Sequence, residues 1–315
     1  MKRGDEGCAA LKEDSVAAGD GRAALAYVSA GLKLLRSDAG LYARLVVLYS
    51  VPSAGAGALA LSLPKDLFGR NVLLGALDFP TVSFAPVVGM VAVLATFYIH
   101  KPSLLRVSRL SLLWLARYLW TNAHTSVIFW GPVLALIQLR AWAVAELPPG
   151  GAADLLAWGA WVLIALVALY LHSRMLLAPY LGVHGDLPAT LSAWMSWELT
   201  GRSLFTTMST LLLSAAPMGI PVGGILLVLF FLSGSDAHAS QVFHLLLPHL
   251  LWIGIQMTRP LVIASVFLLY RDLWHDEQER RQGASVAPPA MVTWIMALTR
   301  WVPRLGRPPL TAETL

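Results

Sequence analysis

The stretch LHSRMLLAPYLGVHGDLPATLSAWMSWELTGRS, residues 171–203, decides how this chain is read. It joins two runs too apolar for water, 154–180 and 204–232, yet Pro179, Gly182, Gly185 and Pro188 break it, and it carries Trp194, Trp197, Glu198 and Arg202. Tryptophan at the boundary with arginine beyond it is the pattern of a membrane–water interface. Asp186 and Pro188 can start a helix there, so the stretch reads as an in-plane amphipathic element at headgroup level between two membrane crossings.

Composition extends that reading to the whole chain. Of 315 residues, 57% are hydrophobic and 13% charged, where a soluble domain carries about 25% charged residues. Runs near 41–63, 82–100, 124–144, 154–180, 204–232 and 242–272 approach the ~20 apolar residues that a spanning helix needs. The expected fold is all-α: a polytopic membrane bundle of six transmembrane helices with amphipathic surface helices. Residues 1–21 lack an apolar leader core and read as a disordered cytoplasmic tail, and 274–315 as a second tail whose Trp294–Trp301 segment adds a surface helix. The single cysteine, Cys8, leaves no intramolecular disulfide and no cysteine metal cage.

The net charge of +5 does not point to nucleic acid, because the cations are sorted by membrane side. Lys33, Arg36, Lys101, Arg106, Arg109, Arg117, Arg174, Arg202 and the tail cations fall on one side; Lys65, Arg70 and Arg140 fall on the other. Cations accumulate on the cytoplasmic side, which predicts both termini there and a multi-pass protein of a cell membrane.

Three connectors align where each feeds an odd-numbered span: LLRSDAGLY from Leu34, YLWTNAHTS from Tyr118 and WELTGRSLF from Trp197. Each has Leu-x-[Ser/Thr]-[Asp/Asn/Gly]; the hydroxyls, Ser37, Thr121 and Thr200, stand 84 and 79 residues apart, and the shared element reads as an N-cap at the membrane surface. The implied organisation of the membrane domain, 22–273, is a parallel threefold repeat over about 22–100, 103–180 and 187–273, each a surface helix plus a transmembrane hairpin. In the first surface helix Arg22, Ser29, Lys33 and Arg36 form one polar stripe.

Arg174, Leu177-Ala178-Pro179, Val183, Ser196-Trp197-x-Leu199-Thr200 and Arg202 together resemble the signature of the glycerophosphodiester phosphodiesterase membrane-domain family and the related YciC-like bacterial inner-membrane proteins. The resemblance implies a polytopic bacterial inner-membrane protein. It does not carry over phosphodiester hydrolysis, which in the fused members belongs to a separate soluble barrel; the 42 residues after the sixth run, 274–315, hold no such domain.

Arg259 is the costliest residue in the apolar runs, since a cation at a helix centre costs about 2.5–3.5 kcal/mol on insertion scales. With Gln256 and His249 it marks a polar sector beside Pro260, readable as an anion site or as an arginine serving freed backbone carbonyls. Thr206, Thr207, Thr210 and Ser214 form a hydroxyl stripe, readable as close helix packing or, facing that sector, as the lining of a polar path. Arg174 and Arg202 are candidate headgroup contacts. His244 and His249 stand five apart, which does not place a metal pair on one helix face, so no metal is expected. No phosphate-binding loop or dinucleotide fingerprint occurs, and no apolar run carries paired carboxylates, so no catalytic residue and no cofactor is expected.

The expected partners are the lipid bilayer and a lipid headgroup or small anion, with no nucleic acid; the sequence names no protein partner. The expected role is a non-enzymatic membrane protein that organises or moves a lipid-related or small anionic ligand. A transporter or permease component and an intramembrane lipid enzyme are the alternatives.

Overall fold

The computed structural model describes residues 20–63, 72–74, 76, 84–99, 101–145, 151–233, 237–281, 290 and 293–294, with some side chains in these ranges excepted. No strand occurs among them. The helices are α1 (Asp20–Ser37), α2 (Ala39–Ser62), α3 (Ala85–Ile99), α4 (Leu104–Ala145), α5 (Gly151–Met175), α6 (Ala178–Val183), α7 (Ala189–Arg202), α8 (Leu204–Ala215), α9 (Gly219–Ser233) and α10 (Ala237–Arg281), with a 3-10 turn at Ala216–Met218. The 1–21 tail lies outside the described residues except for its last two positions, and the Trp294–Trp301 helix except for Trp294.

Four helical stretches are long and apolar enough to cross a membrane: Leu104–Val144, Leu155–Val183, Leu204–Ile225 and His249–Arg280. Between 6% and 33% of their apolar windows is buried within the protein, so most of each face needs a nonaqueous cover. Trp130, Trp142, Trp158, Leu166, Phe205 and Phe231 are all exposed on such faces. That is consistent with a helical membrane protein whose cover is lipid. The first two expected spans differ. Run 41–63 is α2, several of whose side chains lie outside the described set, and run 82–100 is the fifteen-residue α3, short of a full crossing.

The described residues form two compact units, one from Met1–Leu115 with Ser209–Leu269, the other from Ala116–Met208 with Tyr270–Thr314. Their boundaries do not coincide with those of the expected repeats. In the first unit α3 is the core. It is apolar on every side, and Val87, Val88, Val91, Val93 and Leu94 are fully enclosed, as an all-round hydrophobic helix requires. Helices α1 and α2 pack against it, and Tyr42 donates a buried hydrogen bond to Thr96 across 3.0 Å. Small residues let backbones approach: a Cβ at Gly31 would stand 2.7 Å from Ser265 Oγ, and one at Gly89 2.6 Å from Ile263. The exposed stripe of Ser29, Lys33 and Arg36 on α1 agrees with the amphipathic pattern read from the sequence.

The second unit holds the opening stretch. Helices α4 and α5 pair through Val133, Ile164 and Leu171, with Phe129 and Trp197 against them. Helix α7 packs on both α5 and α6. Its start is as expected: Asp186 takes a left-handed φ of 55°, and Pro188 occupies the N-cap position. Its buried face, Ala189, Ser192, Ala193, Ser196, Leu199 and Thr200, is folded onto protein and made of small or hydroxyl-bearing residues.

The first of the expected N-cap elements caps α2 through Asp38, whose carboxylate accepts from Leu41 N, while its Ser37 ends α1. The other two are corrected. Thr121 sits within α4, which starts far earlier; Ser103 Oγ accepts from Arg106 N after a left-handed Lys101. Thr121 packs against Gly182 instead, where a Cβ would stand 2.6 Å from its hydroxyl. Between Ser103 and Gly131 there is no glycine or proline, so a cap signal alone does not interrupt the helix. The surface helix expected to open the second repeat, from about residue 103, is therefore the first part of one continuous α4.

Candidate functional site

At the end of α5, Arg174 stands in the last turn, where a cation complements the helix dipole. Its surroundings are assembled by α7. Ser196 Oγ donates to Arg174 O at 2.8 Å and accepts from Leu177 N at 3.1 Å, so one hydroxyl pins both sides of the break between α5 and α6. Thr200 Oγ1 also reaches Arg174 O, at 3.3 Å, and Ser196 O at 2.7 Å. Thr200 is thus a fastener between helices and not the cap expected of it.

The Arg174 guanidinium lies over the Trp197 ring, 4.3 Å from its centre, and 5.8 Å from that of Tyr170. Gly201, one turn after Trp197, leaves the room it occupies: a Cβ there would collide with Nη1 and come within 3.0 Å of Cζ. Arg174 is 9% exposed, and its Nε is enclosed with no hydrogen-bond partner. Among the described residues no carboxylate pairs with it. Burying an ion costs several kcal/mol, and an aromatic face returns about 0.5–2 kcal/mol. Two ring contacts alone do not balance the burial.

Beside it, Arg202 is paired on two sides, with Glu198 Oε1 at 2.8 Å and with Glu277 Oε2 at 2.8 Å. Arg280 closes on the other oxygen of the buried Glu277, also at 2.8 Å. Glu198 Oε2 is enclosed without a hydrogen-bond partner. The i,i+4 pair of Glu198 and Arg202 was legible from spacing; Glu277, 75 residues away from Arg202, was not. Arg202 is therefore committed to carboxylates, whereas Arg174 is not, and the two candidate headgroup contacts have different chemistry.

A second cluster escaped the sequence reading. His184 Nδ1 and Tyr270 Oη stand 3.0 Å apart, and Tyr270 stacks on Tyr180 and Trp274. Desolvation lowers the His184 pKa to about 4, so its imidazole is neutral at neutral pH. Arg117 pairs with Asp186 and donates to Leu187 O, tying α4 to the turn before α7.

The hydroxyl stripe of α8 is buried along its length, at Thr206, Thr207, Thr210 and Ser214. Ser214 Oγ donates to Leu211 O, a local helix bond, and Ser203 Oγ lies 3.5 Å from Thr207 Oγ1. In the first unit Gln256 is buried, and its Nε2, like Thr210 Oγ1, has no hydrogen-bond partner. Arg259 is half-buried and lies over the Trp252 ring at 5.5 Å, two turns back on the same helix, with His249 also half-buried. The side chain of His244 lies outside the described set. Arg259 has an intrahelical aromatic support, so it is less exceptional than Arg174. Comparison with protein-family models, curated proteins and solved structures finds no match to this chain.

Proposed function

We propose that this chain is a multi-pass inner-membrane protein that holds an anionic, lipid-related ligand at Arg174. One observation carries the reading: a nine-tenths buried arginine whose Nε is enclosed without a hydrogen-bond partner, with no carboxylate paired to it among the described residues, within a helical stretch apolar enough to cross a membrane. A phosphate group supplies what is missing there, since arginine presents a planar set of donors to phosphate oxygens. Supporting elements are the aromatic walls of Trp197 and Tyr170, which hold the guanidinium in place, and the hydroxyl fasteners of α7, which fix the backbone beneath it. The resemblance of residues 174–202 to a membrane-only domain agrees with binding and not hydrolysis.

Within this reading the chain crosses the membrane an even number of times, and both termini face the cytoplasm. Arg174 then lies on the cation-rich side, where anionic headgroups attract it. Labelling of Cys8 and of a cysteine added at the C-terminus from opposite sides of the membrane would contradict that topology.

The binding reading is tested by measuring phosphorus retained per protein after exhaustive delipidation in detergent. The wild type is expected to keep about one phosphate-bearing molecule and Arg174→Gln to lose it, a charge-assisted contact being worth about 1.5–3 kcal/mol. Equal retention in both rejects the site. Leaflet-exchange measurements on reconstituted protein then separate movement of the ligand from its storage.

A further inference from the structure

The Arg174 site has an acceptor problem and, one residue along α7 from the aromatic wall, a donor problem. Glu198 follows Trp197, and its Oε2 is enclosed with no hydrogen-bond partner, while its Oε1 is held by Arg202 at 2.8 Å. Arg202 is in turn held by the buried Glu277, so the Glu198 carboxylate is fixed from behind. Arg174 Nε is likewise enclosed without a partner. Residues three apart on a helix are surface neighbours, with Cβ atoms about 5–6 Å apart, and Gly201, against which the guanidinium lies, is three residues after Glu198. An unmatched donor from α5, lying against Gly201, and an unmatched acceptor on α7, three residues before Gly201, therefore stand close together and do not satisfy each other.

Inorganic phosphate meets only half of that demand. It would pair with Arg174 but bring negative charge toward Glu198, a like-charge contact that opposes binding. A ligand that satisfies both residues needs an anionic phosphodiester and, a short linker away, a hydrogen-bond donor of its own.

We propose that the Arg174–Glu198 site selects a phosphodiester headgroup bearing a primary ammonium or hydroxyl group, of the phosphoethanolamine or phosphoglycerol type, with phosphate on Arg174 and the donor on Glu198. This rests on the anion-binding reading above and adds a specificity to it. A quaternary ammonium has no N–H to give, so a phosphocholine headgroup leaves Glu198 Oε2 as unsatisfied as before. The preference is a difference between one bonded and one orphaned buried acceptor, which is where polar sites discriminate most.

Native mass spectrometry of the full delipidated chain, titrated with short-chain phosphatidylethanolamine, phosphatidylglycerol and phosphatidylcholine, reads this out. The expected result is binding of the first two about tenfold or more tighter than phosphatidylcholine. Glu198→Gln, which keeps size and shape, is expected to narrow the ethanolamine-to-choline ratio to about threefold or less while phosphate binding survives. Arg174→Gln is expected to weaken all three. Glycerophosphoethanolamine without acyl chains separates the sources: binding as tight as that of the lipid identifies a water-soluble ligand, and much weaker binding identifies the lipid. Wild-type protein that binds all three headgroups equally, with Arg174→Gln still losing them, overturns the selectivity and leaves the anion site standing. Indifference to Arg174→Gln overturns both. A thermal melt of each variant in detergent distinguishes lost binding from lost folding, and Glu198→Ala supplies a second removal of the acceptor if Glu198→Gln is unstable.

Discussion

Gly201 holds the key position at the residue scale, because its missing side chain is the space in which the Arg174 guanidinium rests. Alanine in the interior of a helix is favoured over glycine by about 0.5–1 kcal/mol. The group that a Cβ would strike is the far end of a flexible side chain, which can swing away. Gly201→Ala is therefore expected to melt at the same or a higher temperature than the wild type while losing ligand about tenfold. Thermal unfolding and phosphorus retention, measured on one preparation, check the pair. A variant that loses both stability and ligand would make the glycine a packing device only. Arg174 itself was visible in the sequence as a cation near the end of an apolar run. Its surroundings were not, since nothing in local spacing reveals that Ser196 and Thr200 take its carbonyl and that, among the described residues, no carboxylate takes its guanidinium.

Elements show where periodicity reads truly and where it misleads. The hydrophobic runs located α5, α8 and α10 well, and Asp186 with Pro188 located the start of α7. The run at 82–100 was read as a crossing, and α3 is the enclosed centre of its unit; an all-apolar helix looks the same in sequence whether protein or lipid covers it. Thr121 was read as a cap, but its hydroxyl meets Gly182, 61 positions away, a tertiary relation that no local pattern encodes. The turn joining α6 to α7 gives a titration consequence. Burial holds the His184 pKa near 4 beside Tyr270, below the ordinary histidine value of about 6.5. Above about 6.5 the group is neutral in both folded and unfolded states and the full stability is present. As pH falls from there toward 4 the unfolded state gains the proton first, and stability drops by up to about 1.4 kcal/mol per pH unit. His184→Phe keeps the edge contact with Tyr270 and removes the proton site. The fall in melting temperature between pH 7 and pH 4.5 is expected to be smaller in this variant than in the wild type; identical falls would exclude His184 as the cause.

On the scale of the whole molecule, the packing inside each unit uses what a bilayer rewards. Where lipid is as apolar as leucine, helices associate through close contact at small residues and through hydroxyl bonds, and Gly31, Gly89, Gly182, Ser196 and Thr200 supply these contacts. Several charges are kept in closed groups, as with Arg202, Glu277 and Arg280, or in Arg117 with Asp186. Arg174 has no carboxylate partner among the described residues, and the functional reading centres on it. The most direct test is an experimental structure of the full chain in nanodiscs of its native lipid. The account predicts density for a phosphate within hydrogen-bond distance of the Arg174 guanidinium, its headgroup extending to Glu198. A guanidinium bonded entirely to protein groups, with lipid excluded from the end of α5, would contradict it.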